Sequence, residues 1–165
     1  MSYPPPLYTA VEPEVSATIR PADAQPELVY DHGVEVHYLA TGASTDGLFG
    51  LYRWDMPPGV GGPGCHYHRT MSESFYILSG EVTVYDGTGW KPARSGDFLH
   101  VPPGGLHGFR NDADTPASML LHFAPGAPRE GYFEGLARLA AGEKMSSEEF
   151  SAFLVEHDNI YCDEP

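Results

Sequence analysis

The sequence predicts an all-β sandwich or barrel that is followed by two α-helices. Its 19 glycines and 16 prolines make up 35 of the 165 residues, which indicates a chain with many turns. Short apolar runs alternate with turn residues as far as about residue 125, and apolar residues recur at helical spacing after Pro128. The length corresponds to one domain that is large enough to bury its own core.

Eight short apolar runs are the predicted strands. Turn signals separate them, the clearest being the proline- and glycine-rich segments at residues 57–59 and 102–105. Strands of this length and spacing are typical of a sandwich or a barrel. The runs cover residues 27–31, 34–40, 48–55, 74–79, 81–86, 97–101, 106–110 and 117–124.

Two helices are predicted after the strands. Gly142 is in position to end the first helix, and Ser146 with Glu149 forms a capping box that opens the second. We expect both helices to pack on the outside of the β unit. Their apolar faces are Tyr132, Phe133, Leu136, Leu139 and Ala140 in the first helix and Phe150, Phe153 and Leu154 in the second.

The chain is expected to comprise an extended arm, a β-barrel and a helical extension, over residues 1–15, 16–125 and 126–165. The arm is rich in proline, which favours an extended conformation. No apolar run has the length of a membrane span, and the first residues lack the pattern of a signal peptide. Cys65 and Cys162 lie far apart in sequence, so we expect no disulfide framework and a cytoplasmic location.

The charge balance argues against nucleic acids and membrane surfaces as partners. The chain has 9 basic and 23 acidic residues, a net charge of −14 with neutral histidines. A protein that binds phosphates along a nucleic acid needs a basic face, and anionic membranes attract basic segments. Solubility is the simplest explanation of the acidity.

Three of the eight histidines, together with one glutamate, suit a metal site. His66 and His68 are two residues apart, so both rings project from the same face of a strand. Glu73 follows closely, and the fold must bring back His107, which comes just after the turn at residues 102–105. Three imidazoles and a carboxylate favour a divalent transition metal over calcium or magnesium. Taken alone, two histidines on a strand are more often surface or core residues.

The residues around these side chains resemble the two motifs of the cupin superfamily, most closely in its bacterial single-domain, quercetinase-like members. The resemblance covers about residues 45–125, and the chain departs from the pattern at Val60, where the family has glycine. The first motif, H-x-H-x3,4-E-x6-G, is matched by His66, His68, Glu73 and Gly80. The second, G-x5-P-x-G-x2-H-x3-N, is matched by Gly96, Pro102, Gly104, His107 and Asn111.

The resemblance implies a double-stranded β-helix, a small jelly-roll barrel, with one divalent transition metal ion inside. His66, His68, Glu73 and His107 would be its ligands, and Glu73 would also be the candidate catalytic base. Manganese, iron, nickel, copper, cobalt and zinc all fit such a set of ligands. Cupins of this size commonly form homodimers. Asn111 is interpreted as a hydrogen-bonding turn residue rather than a ligand.

Six further side chains are candidates for a substrate pocket. Phe75 and Phe109 are each two residues from a predicted ligand and share its strand face. His100 and His122 lie on predicted strands, where they could move protons or be structural histidines. Ordinary core packing is the alternative for the aromatic candidates. The set is Phe75, Phe109, Tyr52, Trp54, His100 and His122.

Three functions are open at this point, because a cupin fold does not specify a reaction. The first is a dioxygenase that acts on a small aromatic or enolisable substrate, similar to the flavonol (quercetin-type) dioxygenases. The second is a non-oxidative isomerase, dehydratase, cyclase or decarboxylase that uses the same ion. The third is a non-catalytic module that binds a small ligand. The complete set of candidate ligands favours an enzyme.

Overall fold

The computed structural model describes residues 2–163, in which strands dominate and two helices follow them. A 3-10 helix spans Ala43–Thr45, and the α-helices are α1 (Glu130–Ala140) and α2 (Ser147–Glu156). The strands are β1 Leu28–Val29, β2 Glu35–Ala40, β3 Gly50–Met56, β4 His66–Tyr67, β5 Ser72–Ser79, β6 Glu81–Tyr85, β7 Trp90–Arg94, β8 Phe98–Val101, β9 Gly108–Arg110, β10 Ala117–Ala124 and β11 Ile160–Tyr161.

The strands form two layers with a common core. The larger layer is an antiparallel sheet in the order β1-β2-β3-β10-β5-β8. The second layer consists of the sheet β7-β6-β9 and the pair β11-β4, which a bridge between His66 and His107 connects. Phe75 and Leu121 from the first layer and Val82 and Phe109 from the second belong to one buried cluster.

The predicted jelly-roll class with two helices after it is confirmed, with one correction. Within residues 2–163 no ladder of hydrogen bonds joins the large sheet to the second layer, so the sheets form a sandwich rather than one closed barrel. Gly80 makes the turn that carries the chain from β5 to β6. Its φ is +72°, and a Cβ there would lie 2.3 Å from the carbonyl oxygen of Pro116, so glycine is required.

Three strands lie outside the eight predicted apolar runs, and of the two histidines expected on one strand only His66 belongs to β4. β4 and β11 are two residues long, and β7 is a largely exposed edge strand that contains Pro92. A proline is tolerated at an edge because it has no N–H to donate to a neighbour. In contrast, β3 and β10, which were predicted as apolar runs between turn signals, alternate strictly between buried and half-buried residues.

Both predicted helices are present. Ser146 and Glu149 make the reciprocal capping box at the start of α2, and Gly142 follows α1 with a φ of +97°. The helices lie outside the sheets, and α1 inserts Phe133 against the rings of Tyr52 and Trp54 at centroid distances of 5.1 and 5.4 Å. No described helix is long and apolar enough to cross a membrane.

Candidate metal centre and adjoining cavity

Four buried side chains from both motifs meet inside the sandwich. One ligand atom from each of His66, His68, Glu73 and His107 lies within 4.8 Å of all the others. None of the four residues is more than 3% exposed. This cluster is a buried set of three imidazoles and one carboxylate that could hold a metal ion.

The backbone brings the two motifs together at His66 and His107. Each residue donates its N–H to the carbonyl of the other at 2.9 Å, so the two strands are in register at the candidate ligands. Gly104 donates its N–H to the carbonyl of His68 at 2.7 Å. The turn before His107 is therefore fastened to the loop that carries the other two histidines.

The outward nitrogen of each histidine is fixed by a backbone carbonyl. Nδ1 of His66 lies 2.9 Å from the Gly64 oxygen, and Nδ1 of His107 lies 2.9 Å from the Gly105 oxygen. Nδ1 of His68 lies 2.5 Å from an oxygen of the segment after α2, the carbonyl of Asp158. A carbonyl can only accept, so each Nδ1 carries a proton, and Nε2 is the nitrogen that each ring turns toward the cluster.

The inner contacts require a positive species between the ligands. Oε2 of Glu73 lies 2.8 Å from Nε2 of His107 and 3.0 Å from Nε2 of His68. Two lone-pair atoms at these distances repel each other unless a proton or a metal cation lies between them. The four residues therefore suit a divalent ion in two respects, the chemistry of their donor atoms and the distances between those atoms.

The electrostatics of the cluster also favour a cation. Burial alone would raise the pKa of Glu73, but hydrogen bonds from His107 and His68 hold it well below its usual range. Burial and the neighbouring His107 lower the pKa of His66 to about 3, so its ring is neutral. Burial opposes the charged form of His107, yet the hydrogen bond to Glu73 raises its pKa. An ionised carboxylate and a neutral imidazole are the forms that bind metal.

A second group of potential ligands, Glu35, His37 and Asp55, is less suited to a metal ion. Glu35 is exposed and Asp55 half-buried, and Nη2 of Arg53 lies 2.7 Å from Nε2 of His37. The guanidinium can only donate, so it occupies the lone pair that a metal would need. Arg53 also pairs with Asp55 through Nε at 3.0 Å.

A cavity of about 270 Å³ opens beside Glu73 and His66. His32, Gly61, Ala140 and Tyr161 line it and are exposed, which places them at its mouth. The remaining walls are mostly aromatic, so the cavity suits a planar apolar group. They include Trp54, Phe109, Leu121, Phe123, Tyr132 and Phe133.

Two of the six predicted pocket residues, Trp54 and Phe109, line this cavity. Their rings meet edge to face at 5.6 Å and an interplanar angle of 82°. Phe75 and Tyr52 are fully buried on the inner face but do not line the cavity. Phe75 packs beneath Phe109 with ring centroids 5.7 Å apart, and the hydroxyl of Tyr52 donates to Glu130 at 2.5 Å.

The assignment of His100 and His122 to the pocket is corrected by the structure. Both lie on the outer face of the large sheet, where they border a surface depression that also includes Phe98. Nδ1 of His100 contacts the hydroxyl of Ser74 at 3.0 Å, and His122 stacks on Phe49. On β10 the ring of His122 faces opposite to Leu121 and Phe123, because successive side chains alternate between faces.

The segment after α2 contributes to the site in a way that the sequence did not indicate. β11 pairs with β4, the strand of His66, and Tyr161 lies with its ring 5.7 Å from that of His66. Arg129 and Asn159, both buried, also line the cavity. Their partners are distant in sequence, so no local pattern could have identified them.

The same pairing brings the two cysteines together. Sγ of Cys65 lies 2.6 Å from Sγ of Cys162, and the N–H of Cys162 donates to the carbonyl of Cys65 at 3.0 Å. Their separation in sequence was therefore a poor guide to their separation in space. Asn111 acts as the turn residue that was expected, since its amide donates to the carbonyls of Pro57 and Thr115 at 2.9 Å each.

Comparisons with known proteins agree with this architecture. Residues 52–123 match the model of the cupin domain. The chain is 34% identical over 82 residues to quercetin 2,3-dioxygenase of Bacillus subtilis (strain 168), which covers 49% of this chain and 24% of that protein. It is 37% identical over 65 residues to the polyketide synthase CurC of Streptomyces cyaneus, which covers 39% and 42% respectively. The chain thus spans less than half the length of either relative.

Two solved structures share the fold. A predicted oxalate decarboxylase from Thermotoga maritima superposes with a TM-score of 0.59 at 24% identity, over 66% of this chain and 99% of that one. Ectoine synthase from P. lautus gives a TM-score of 0.55 at 16% identity, over 70% and 80% of the two chains. At these identities the likeness is one of fold.

Proposed function

Since this chain is a member of the cupin superfamily, with its cupin domain at residues 52–123, we propose that it is a metal-dependent enzyme. Its substrate would be a small aromatic or enolisable compound, on which it would act in the first place as a dioxygenase. One observation carries the proposal. The cluster of three histidines and Glu73 borders a cavity of about 270 Å³ whose walls are mainly aromatic.

His66, His68, Glu73 and His107 would hold the ion. Their nitrogen and oxygen donors suit manganese, iron, nickel, copper, cobalt or zinc. When bound, such an ion supplies Lewis acidity toward a substrate oxygen and, if it is redox-active, electron transfer to the oxidant. The carbonyls at Nδ1 of each histidine keep the rings oriented for this purpose.

Glu73 is the candidate general base. Its Oε2 makes both histidine contacts and its side chain lines the cavity, so Oε1 remains to accept a proton from a substrate hydroxyl or an enolisable carbon. Loss of that proton gives the enolate or phenolate that reacts. The substrate must therefore lie with its acidic group toward Glu73.

The aromatic walls would orient the substrate and exclude water. Trp54 and Phe109 meet edge to face, and Phe133 from α1 closes the same side with its ring 5.4 Å from Trp54. Aromatic walls of this kind offer a substrate ring stacked or edge-on contacts. The exposed residues at the mouth leave a path for substrate entry.

The test combines elemental analysis with an oxygen electrode. Purified protein should contain one transition-metal ion per chain and consume oxygen when flavonols and aryl diketones are supplied. His107→Ala should abolish both, whereas His100→Ala, on the outer face, should leave both unchanged. Turnover at the full rate under strictly anaerobic conditions would contradict the dioxygenase.

Non-oxidative catalysis is the second candidate. It is supported by the similarity to the polyketide synthase CurC, which is 37% identical over 65 residues. Isomerisation, dehydration, cyclisation or decarboxylation would use the same base and the same cavity, without oxygen. Anaerobic turnover that depends on Glu73 would support it. Ligand binding without turnover under either condition would indicate a non-catalytic module.

A homodimer is the proposed assembly. Tyr76 and Phe98 are 44% and 65% exposed on the outer face of the large sheet, which makes this face apolar at its surface. Sedimentation of the purified protein measures the assembly state directly, and Phe98→Glu should shift a dimer toward the monomer. A wild-type protein that sediments as a monomer at micromolar concentration would contradict the proposal.

A further inference from the structure

Arg129 is a buried cation at the cavity wall. It is 3% exposed and lies directly before α1. Nη1 donates to the carbonyl of His157 at 2.6 Å and Nη2 to Oδ1 of Asn159 at 3.3 Å. Its Nε has no hydrogen-bond partner among residues 2–163. An unpaired N–H in the interior is costly, and native proteins rarely leave one unless a ligand or water serves it.

The charge of Arg129 is also unpaired in the described part of the chain, where no carboxylate oxygen lies within 4.0 Å of it. Aromatic faces surround it instead, with the guanidinium 4.4 Å from the ring of Tyr132 and 5.1 Å from that of Phe123. Rings attract a cation but do not accept its hydrogen bonds as a carboxylate does. Burial lowers the pKa of the guanidinium, which expresses the cost of this position.

Two more N–H donors without partners line the same cavity, and so does the buried hydroxyl of Tyr132, which can donate or accept. Nδ2 of Asn159 and Nε1 of Trp54 are buried and, like Nε of Arg129, bond to no described residue. All three atoms are N–H groups, so their complement is a ligand rich in acceptor oxygens. Arg129 is the one arginine or lysine among the described residues that line the cavity. A chain with a net charge of −14 has thus placed a cation and unused donors in its interior.

We propose that Arg129, with Asn159 beside it and Trp54 in the wall of the same cavity, forms an oxyanion site that binds a carboxylate or an ionised hydroxyl of the substrate. The inference rests on the proposed function, since the site shares its cavity with Glu73 and His66. A substrate held in this way carries its anionic group at Arg129 and presents its reactive part to the histidine cluster. The substrate class is therefore an aromatic or enolisable acid rather than a neutral ring.

The alternative role for Arg129 is purely structural, because its two bonds tie α1 to the segment after α2. The two roles differ in what they predict for small ligands. An oxyanion site discriminates an acid from its amide of the same shape, whereas a structural tie does not. The probes are therefore 2-naphthoate and 2-naphthamide, which share a planar ring system and differ in charge.

Binding of both probes to the full-length, metal-loaded protein is measured by calorimetry. We expect 2-naphthoate to bind at least ten-fold more tightly than 2-naphthamide. Arg129→Met should remove this preference, and Arg129→Lys should retain part of it. The matched control is Arg138→Met within α1, where the exposed arginine pairs with Glu143 at 3.2 Å. The control should bind both probes as the wild type does.

Three results would overturn the proposal. The first is equal affinity of the wild type for the two probes, which needs no variant and holds even if Arg129→Met fails to fold. The second is a preference that survives in a folded Arg129→Met. The third is a preference lost in His107→Ala but kept in Arg129→Met, which would place the carboxylate at the metal. Trp54→Phe, which keeps the ring and removes the N–H, should weaken 2-naphthoate about three-fold.

The outcome is separable from that of the proposed function. If the protein shows no turnover but prefers 2-naphthoate in a way that depends on Arg129, the oxyanion site is supported and the proposed enzymatic function is contradicted. If the protein turns over neutral substrates and binds the two probes equally, the enzymatic function is supported and the oxyanion site is contradicted.

Discussion

The backbone carbonyl of Asp158 lies 2.5 Å from Nδ1 of His68, so a residue beyond α2 orients a candidate ligand ninety positions earlier in the chain. The carboxylate of Asp158 completes the contact. It accepts hydrogen bonds from the N–H groups of Arg69 and Thr70 at 2.9 and 2.8 Å and from the Thr70 hydroxyl at 2.7 Å. Asp158 is therefore both a fastening for the C-terminal segment and a support for the candidate metal centre.

Asp158→Ala should loosen this fastening. The variant loses the bonds to Arg69 and Thr70, and we expect a loss of about 2 kcal/mol in the free energy of unfolding, as for hydrogen bonds to a charged group. Metal affinity should fall with it because His68 is less firmly oriented. Urea denaturation and metal titration measure the two effects. Asp163→Ala, at an exposed position, is the control, and equal metal affinity in both variants would contradict the supporting role.

His66→Ala and His107→Ala should each remove most of the bound metal while the sandwich stays folded. The large sheet packs through other residues, so its circular dichroism spectrum should persist. Elemental analysis of the purified variants gives the metal content, with His122→Ala on the outer face as the control. One full equivalent of metal in both ligand variants would rule out the proposed ligand set.

Phe109→Leu should impair substrate binding rather than folding. It removes the ring that meets Trp54 edge to face, an interaction of about 1 kcal/mol, and we expect an increase of about five-fold in KM. Phe75→Leu is the matched control because its ring is buried beside Phe109 but does not line the cavity. If both variants change KM equally, the effect comes from general loss of packing and not from the cavity wall.

Cys65 and Cys162 should form a disulfide under oxidising conditions, since their sulfur atoms are 2.6 Å apart. Treatment with diamide should give a protein lighter by two hydrogens, with the crosslinked peptide visible after digestion without reductant. The loop it closes is long, so the oxidised form should be more stable by about 4 kcal/mol. Cys162→Ser should show neither change, and a wild type that keeps both thiols after treatment would contradict the proximity.

The capping box of α2 should confer a pH-dependent stability. Hydrogen bonds from Ser146 lower the pKa of Glu149, so the folded state holds its proton more weakly than the unfolded chain does. The stabilisation is complete above the ordinary glutamate pKa and disappears as the pH falls through the lowered value. Glu149→Gln should therefore have a lower melting temperature than the wild type at pH 7 and the same melting temperature in acid. Glu148→Gln, outside the capping box, should match wild type at both pH values.

The strands and helices with a strong local pattern were predictable. β3 and β10 alternate because one face meets the core, and α2 begins where Ser146 and Glu149 satisfy its first N–H groups. β7 and β11 lack such patterns because an exposed edge strand and a two-residue strand bury too little to leave one. Their existence depends on which strand lies beside them.

The pocket residues were likewise only partly predictable, because local pattern indicates some of their positions and packing decides the others. A period of two gives the face of a side chain but not its depth, so Trp54 and Tyr52 were both expected in the pocket and only Trp54 reaches it. On β10 the alternation of His122 with Leu121 and Phe123 was a sign of the outer face, whereas β8, with His100, is too short to show such a pattern. The structure placed both on the outside because their neighbours on β8 and β10 fill the core.

By itself, the sequence determined the β-rich class through its glycine and proline positions, and its resemblance to the two cupin motifs singled out the four side chains of the candidate metal centre. The tertiary structure decided the rest of the site. The cavity is completed by Arg129, which precedes α1, and by Asn159 and Tyr161, which reach it when the segment after α2 pairs with β4. Contacts between residues about ninety positions apart follow from packing, and they produce no periodic pattern in the sequence.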